Sequence, residues 1–313
     1  MPAKQPLPEP FHQGAFRVRD AMRAGVSADR LRHGSLIAPF RQVRAHAIDT
    51  VLDLSTAYAT VMAAHHAFGG ITAARLWGLP IAERWTKDEP LVIARPRGST
   101  RGFTRGTRHI AVDPVRTTVV EVDGLRLLDP WGTTRTLARE LSHEALVQVL
   151  DALLTPSQRY PGLALRRDAG RPWATPERLA ALLRRDRGLA GVAALRAAAA
   201  HARVGVDSRF ETIVRLLLVE AGLPEPAVHP LVVVDGIESR PDLGYPDSRI
   251  AIEYEGDGHR EERQWHVDID RYARLESAGW ITIRVTRAHM ARRGAHFVQR
   301  VRAALARRAP GSR

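Results

Sequence analysis

The sequence predicts an α/β protein of several parts, and three observations carry that prediction. Segments of helical periodicity alternate with short strand-like runs along the 313 residues. The C-terminal third follows the order helix, three strands, helix, strand, helix. Inside that order, residues 240–259 hold five carboxylates and a histidine. The length exceeds one ordinary core, so two or three domains are expected. Composition and turn signals divide the chain at 1–50, 51–165, 166–204 and 205–313.

In chain order, the first dozen residues are Pro-rich and read as a flexible lead. Val18, Ala21 and Met22 share one face of a short helix, which Gly25-Val26-Ser27 breaks. Ser27 is placed to cap a second helix over 28–32. Residues 40–45 read as a strand, like the wing of a winged helix. Helix, tight turn, Arg-rich helix and strand is the helix-turn-helix order. It makes Arg30 and Arg32 candidate phosphate contacts on DNA; a small helical cap with solvated arginines is the alternative.

The middle block is α+β. Residues 56–67 read as helix, and 71–77 as another, ended by Gly78 and Pro80. The adjacent His65 and His66 lack partners at ligand spacing and read as helix-surface residues. Residues 91–94 form a short strand. Residues 95–108 read as a basic loop or hairpin, where Arg95, Arg97, Arg101, Arg105 and Arg108 either grip phosphates or are solvated. Strands over 117–121 and 125–128 join at Asp123-Gly124, a strong hairpin signal. Residues 133–154 read as one long amphipathic helix. A Gly/Pro/Arg boundary at 162–175 precedes an Ala/Arg-rich connecting helix over 179–202.

The pattern sharpens after Asp207. Helix 208–221 stops at Gly222 and Pro224; a strand over 228–234 turns at Asp235-Gly236. Pro246-Asp247-Ser248 then turns the acidic hairpin. With Asp247 and Ser248 central, Tyr245 faces Ile250, Leu243 faces Ile252 and Asp242 faces Glu253. Alternation puts Asp242, Glu253 and Glu255 on one sheet face, with Leu243, Ile252 and Tyr254 on the other. Like charges opposed across a ladder repel. Such a cluster calls for a cation, and all-oxygen ligands favour Mg²⁺, with Mn²⁺ as a substitute. The competing explanation is an edge hairpin whose outward acids aid solubility. A polar helix over 261–278, a strand over 280–285 and a basic helix over 289–307 close the chain.

Charge and composition narrow the partners. The formal charge is +13, and of 47 basic residues only Lys4 and Lys87 are lysine. A GC-rich genome accounts for part of that arginine bias, yet DNA is the leading partner for so basic a chain. An anionic membrane surface is the weaker alternative, because no long basic amphipathic helix stands out. With no cysteine, disulfides, thiolate metal sites and cysteine nucleophiles are excluded. No apolar run suits a signal peptide or a membrane span, so a cytoplasmic protein without a membrane partner is expected.

Pro241-Asp242 on one strand and Glu253-Tyr254-Glu255 on the next, in this element order, resemble the PD-(D/E)XK nuclease superfamily. The closer resemblance is to its very-short-patch-repair-like branch and a related uncharacterised bacterial family. Arg240, Gly256, His259, Asp268, Asp270-Arg271-Tyr272, Leu275, Gly279-Trp280 and Arg284-Val285 belong to the same match. The front resembles, more loosely, the winged-helix N-terminus of abortive-infection-type antitoxins. The resemblance implies a restriction-endonuclease-like αβββαβ domain and a Mg²⁺-dependent DNA endonuclease in repair, defence or a toxin–antitoxin-like system. It implies Asp242 as central ligand and Glu253 as the second. The Tyr254 main-chain carbonyl and Glu211, on the preceding helix, would complete the set. Glu255 stands where the superfamily has lysine. His259 is the stand-in for the histidines that take part in catalysis in the repair-like branch, and an unperturbed pKa near ~6.5 suits that role. Asp257 reads as a turn residue. Asp268 and Asp270 read as caps or partners of Arg271 and Arg274, with Gln264 and His266 on the same helix. The front would dock DNA or a partner protein. The rival reading is a non-catalytic DNA-binding regulator with a degenerate nuclease domain; an RNA-acting nuclease also stays open. A fragment from residue 200 onward holds every proposed ligand.

Overall fold

The computed structural model describes residues 6–99, 102, 104–160, 162–163, 170–256 and 272–309. The chain is mixed α/β and divides into two compact units, residues 1–141 with 182–195, and 142–181 with 196–313. Among the described residues no helix is long and apolar enough to cross a membrane.

The first unit opens with β1 (Ala15–Arg17) and α1 (Val18–Arg23). Gly25 turns at φ +86°, and the Ser27 hydroxyl accepts from Arg30 N at 3.2 Å to start α2 (Ala28–Arg32). β2 (Val43–Ala45) then pairs antiparallel with β1. The N-terminal lead is a correction. Leu7 and Phe11 are buried against Phe16, Ala21, Val26 and Leu31, because two helices this short cannot enclose a core alone.

α3 (Val51–Ala59) starts earlier than the pattern suggests, since Thr50 and Asp53 form a capping box. The helix therefore ends before the histidines, and Ala67 and Phe68 form β3 (Ala67–Phe68). His66 is buried in a turn, its ring 5.6 Å from that of His109, instead of lying on a helix surface. α4 (Gly70–Trp77) stops at Gly78, φ +67°. With β3, the strands β4 (Leu91–Pro96), β5 (Thr107–Val112), β6 (Val119–Val122) and β7 (Leu125–Leu128) make a sheet of order β5-β4-β3-β7-β6. Asp123 (φ +49°) and Gly124 (φ +75°) close the β6–β7 hairpin with the two positive φ angles such a turn requires.

Two long helices of the sequence reading are each broken. Asp129 accepts from Gly132 N at 2.7 Å to start α5 (Pro130–Leu137), and Ser142 accepts from Ala145 N at 3.2 Å to start α6 (His143–Leu153). Side-chain caps outcompete helix continuity here. Gly188 and Gly191, at φ +85° and +84°, likewise separate α7 (Pro176–Arg185) from α8 (Val192–His201).

In the second unit α9 (Arg209–Glu220) precedes β8 (Ala227–Val228), β9 (Val232–Val234), β10 (Ile237–Ser239), β11 (Leu243–Tyr245) and β12 (Ile250–Glu255). β13 (Ile281–Thr286) and α10 (Ala295–Arg308) follow. The main sheet has order β13-β12-β11-β8, with β12 parallel to β13 and antiparallel to β11. The strand expected over 228–234 is two pieces. His229 sits at φ +44°, and Pro230 has no N–H for a ladder. β9 instead pairs with β10 as a separate hairpin. The closing helix is also divided: Arg287–Gly294 form a 3₁₀ segment with positive φ at Arg292, Arg293 and Gly294. Residues 272–277 are helical; most of the helix expected over 261–278 lies outside the described residues.

The hairpin register is the one alternation predicts: Leu243 opposite Ile252, and Tyr245 opposite Ile250. Leu243, Ile252, Ile283 and Val285 pack with Val214 and Leu218 of α9 and with Phe297 and Val301 of α10. Ala251 on the other face meets Val232 and Leu275. That second face is the one Glu253 and Glu255 share by parity with Ala251.

Candidate functional site

α9 is anchored by a buried ionic network before it presents anything to the site. Arg215 (1% exposed) donates to Asp151 of α6 (0% exposed) at 3.1 Å and to Glu225 at 2.8 Å. Asp151 also accepts from Thr212 Oγ1 at 2.8 Å and from Arg203 N at 2.7 Å. Two buried charges of opposite sign with this many hydrogen bonds hold one geometry.

Glu211 occupies the first turn of that helix. The Ser208 hydroxyl caps α9 by accepting from Glu211 N at 3.3 Å, and donates to Glu211 Oε1 at 2.8 Å. Glu211 Oε2 accepts from Asp207 N at 3.0 Å. The same oxygen lies 3.1 Å from His229 Nε2, and Asp207 Oδ2 lies 3.4 Å from that nitrogen. Burial works against a charge on His229. The hydrogen bond to Glu211 and the charges of Glu211, Asp207 and Asp242 outweigh burial, so the imidazole is held above its ordinary pKa. Burial raises Asp207 in turn, against the pull of Arg159.

Asp242 reaches the same histidine from the sheet. Its main-chain oxygen accepts from His229 N at 3.0 Å, and its Oδ2 accepts from Tyr254 N at 2.7 Å. Glu253 stands across from Asp242, one residue beyond the last paired position, and is 3% exposed. Glu255 is ion-paired with Arg284 of β13. The Tyr254 ring stacks on Phe210 of α9, centroids 4.5 Å apart at 15°.

Asp242 and Glu211 therefore flank one histidine, Glu253 lies on the β12 face opposite the one on which α9 packs, and Glu255 is drawn aside by Arg284. Among the described residues no three His, Asp or Glu side chains stand in a geometry that would hold a metal ion. His259, with Asp257, Gln264, His266, Asp268, Asp270 and Arg271, lies outside the described residues. His229 and Asp207 escaped sequence reasoning. The signal was Pro230: a proline inside an apparent strand marks its interruption, and His229 is the residue that turns there.

The arginines expected at phosphates belong to the first unit. Arg32 is ion-paired with Asp29 at 2.5 Å, and Arg30 donates to Ser35 Oγ at 3.3 Å. Arg97 and Arg105 are exposed, while Arg101 lies outside the described residues. Arg108 forms a two-pronged pair with Glu140, at 2.9 Å for each bond.

No family model matches the chain, and no solved structure matches it. Among curated proteins it is similar to uncharacterized protein MT2308 of Mycobacterium tuberculosis strain CDC 1551 / Oshkosh. It is equally similar to uncharacterized protein Rv2248 of strain ATCC 25618 / H37Rv. Each is 26% identical over 183 residues, a match covering 51% of this chain and 65% of the relative. The chain thus spans less than two thirds of the length of the relatives it matches.

Proposed function

We propose that the second unit is a Mg²⁺-dependent DNA endonuclease domain of the PD-(D/E)XK type, with the first unit docking DNA. One observation carries the reading. Asp242 and Glu253 stand on neighbouring strands, just beyond the last paired position of the β11–β12 hairpin, and Glu253 is 3% exposed. Burying carboxylates is costly, and clustered acids are kept where their charge is used. The donor chemistry, all oxygen with no thiolate, suits a hard cation. Asp242 and Glu253 would hold it, with the Tyr254 carbonyl as a further oxygen; Glu211, engaged by Asp207 N, Ser208 and His229, would orient that histidine and not join the ligand set. When bound, the cation supplies Lewis acidity for phosphodiester hydrolysis. In place of the missing lysine, Arg284 of the neighbouring β13, ion-paired with Glu255, brings a positive charge next to β12. His229, oriented by Glu211, is a group able to hold a proton next to the acids.

A second reading, a DNA-binding regulator with a degenerate nuclease fold, draws on a specific feature. Asp242 Oδ2 and both carboxylate oxygens of Glu211 already accept hydrogen bonds from protein groups.

Nicking of supercoiled plasmid with Mg²⁺ or Mn²⁺ separates the two. Wild type is expected to nick, and Asp242→Ala and Glu253→Gln to lose about 10²-fold or more of the rate. Equal nicking by both variants would sink the site assignment. Salt-sensitive DNA binding with no nicking by wild type under either metal would favour the regulator. Log affinity should fall with log salt by about 0.9 per phosphate neutralised.

A further inference from the structure

The first unit holds a cavity of about 440 Å³ that has no part in the reading above. Its wall comes from the end of β4, the edge strand β5, α5 and the residues after α5. Three arginines line it: Arg97, Arg135 and Arg139. The carboxylates in the same wall, Asp113 and Glu140, do not match them. Glu140 is taken by Arg108, and Asp113 turns one oxygen to Val115 N at 2.9 Å. Among the described residues, neither Arg97 nor Arg139 has an ion-pair or side-chain hydrogen-bond partner.

Arg135 is the buried member, its side chain 10% exposed. Its Nη2 donates to Arg116 O at 3.1 Å and Thr117 Oγ1 at 2.6 Å. Its Nε is buried and makes no hydrogen bond. Asp186 Oδ2 is 3.7 Å away, but that carboxylate already accepts from Trp131 at 2.7 Å and from Arg185 at 2.8 and 2.9 Å. Burial disfavours the Arg135 charge, yet a guanidinium does not give up its proton. Asp186, Asp129 and Asp113 offset part of that charge, and an anion in the cavity would offset more.

We propose that this cavity binds a phosphate monoester of mononucleotide size, its phosphate held by Arg97, Arg135 and Arg139. The guanidinium fork matches phosphate oxygens in pairs. The volume is that of a small-molecule site, so inorganic phosphate would leave most of it empty. Ile110 and Leu189 in the wall offer apolar surface to a base. The phosphate belongs either to a free nucleotide or to the 5′ end of a strand, the same chemistry in both.

Isothermal titration of the full chain at fixed ionic strength tests this. The probes are AMP and a thymidine dinucleotide with or without a 5′-phosphate. Saturable binding of AMP or of the phosphorylated dinucleotide is expected, and its absence for the unphosphorylated one. Arg97→Ala and Arg139→Ala should each weaken binding about tenfold, whereas Arg84→Ala, an exposed arginine outside the cavity, should stay within about twofold. All three positions are exposed, so circular dichroism should show an unchanged fold. Binding of AMP identifies a free nucleotide; binding of the phosphorylated dinucleotide alone identifies a strand end. Asp242→Ala should bind as wild type does, whichever way the nicking assay turns out. The proposal is overturned if neither phosphate probe saturates. It is equally overturned if Arg84→Ala weakens binding as much as Arg139→Ala, or if Asp242→Ala abolishes it.

Discussion

Asp151 shows how a single residue ties chemistry to stability. Burial, the largest influence, pushes its carboxyl from 3.8 up to about 6, against Arg215 and three hydrogen bonds. The folded form then binds more protons than the unfolded one between about pH 4 and about pH 6, so this residue's contribution to stability falls as pH rises through that window. Asp151→Asn should flatten that slope. At neutral pH it should also cost about 3 kcal/mol, because the buried Arg215 keeps only Glu225, which lies at the surface. Urea unfolding followed by circular dichroism across the window measures both effects, and an unchanged slope would refute the assignment. None of this was legible in the sequence. Asp151 sits on α6 and Arg215 on α9, 64 residues apart, and a lone Asp on an amphipathic helix looks solvated. His229 was hidden for a related reason, since its partners come from α9 and from β11.

At the scale of elements, the β11–β12 hairpin carries the site and Gly244 permits it. A Cβ there would stand 2.9 Å from Ile250 O and 3.1 Å from the Pro230 ring. Neither a ladder carbonyl nor a proline ring yields easily. Gly244→Ala should therefore lower stability by about 1–3 kcal/mol. Under the nuclease reading it should also reduce metal-dependent nicking, although every acid is retained. A variant as stable and as active as wild type would show that the strand spacing adapts. Register and facing of this hairpin were legible, because a short turn and period-two alternation leave few ways to pair. The long helices were not. Periodicity continues straight through Ala138 to Leu141, where competing caps at Asp129 and Ser142 divide the chain.

At the scale of the molecule, the units do not follow the order of the chain. α6 precedes residues 182–195, which belong to the first unit, yet packs with α9 in the second. A fragment beginning at residue 200 keeps Asp242, Glu253 and Glu211 but removes α6 and with it Asp151. It should fail to give a cooperative unfolding transition, because Arg215 would stay buried with half its compensation. A fragment from residue 142 should retain that transition. Calorimetry of the two decides, and a cooperatively folded 200–313 fragment would refute this. Mg²⁺ titration of the longer fragment can then be compared with Asp242→Ala.

Local sequence determined what local physics can specify: the Ser27 cap, the Asp123-Gly124 turn, the pairing of Leu243 with Ile252, and the two faces of the acidic hairpin. Each depends on neighbours within a few residues. Net charge, the absence of thiols and the sharing of a strand pair by Asp242, Glu253 and Glu255 were likewise readable from the chain alone. Only the tertiary structure decided which acids meet. Glu211 reaches the Asp242 strand through His229 because α9 is fixed by Asp151 and because Pro230 ends β8. Glu255 is withdrawn because a parallel neighbour, β13, sets Arg284 beside it. The arginine-lined cavity likewise needs β4, β5 and α5 together. Such contacts join residues far apart in sequence, and what selects them is the burial of charge against charge inside a packed unit, which no local pattern encodes.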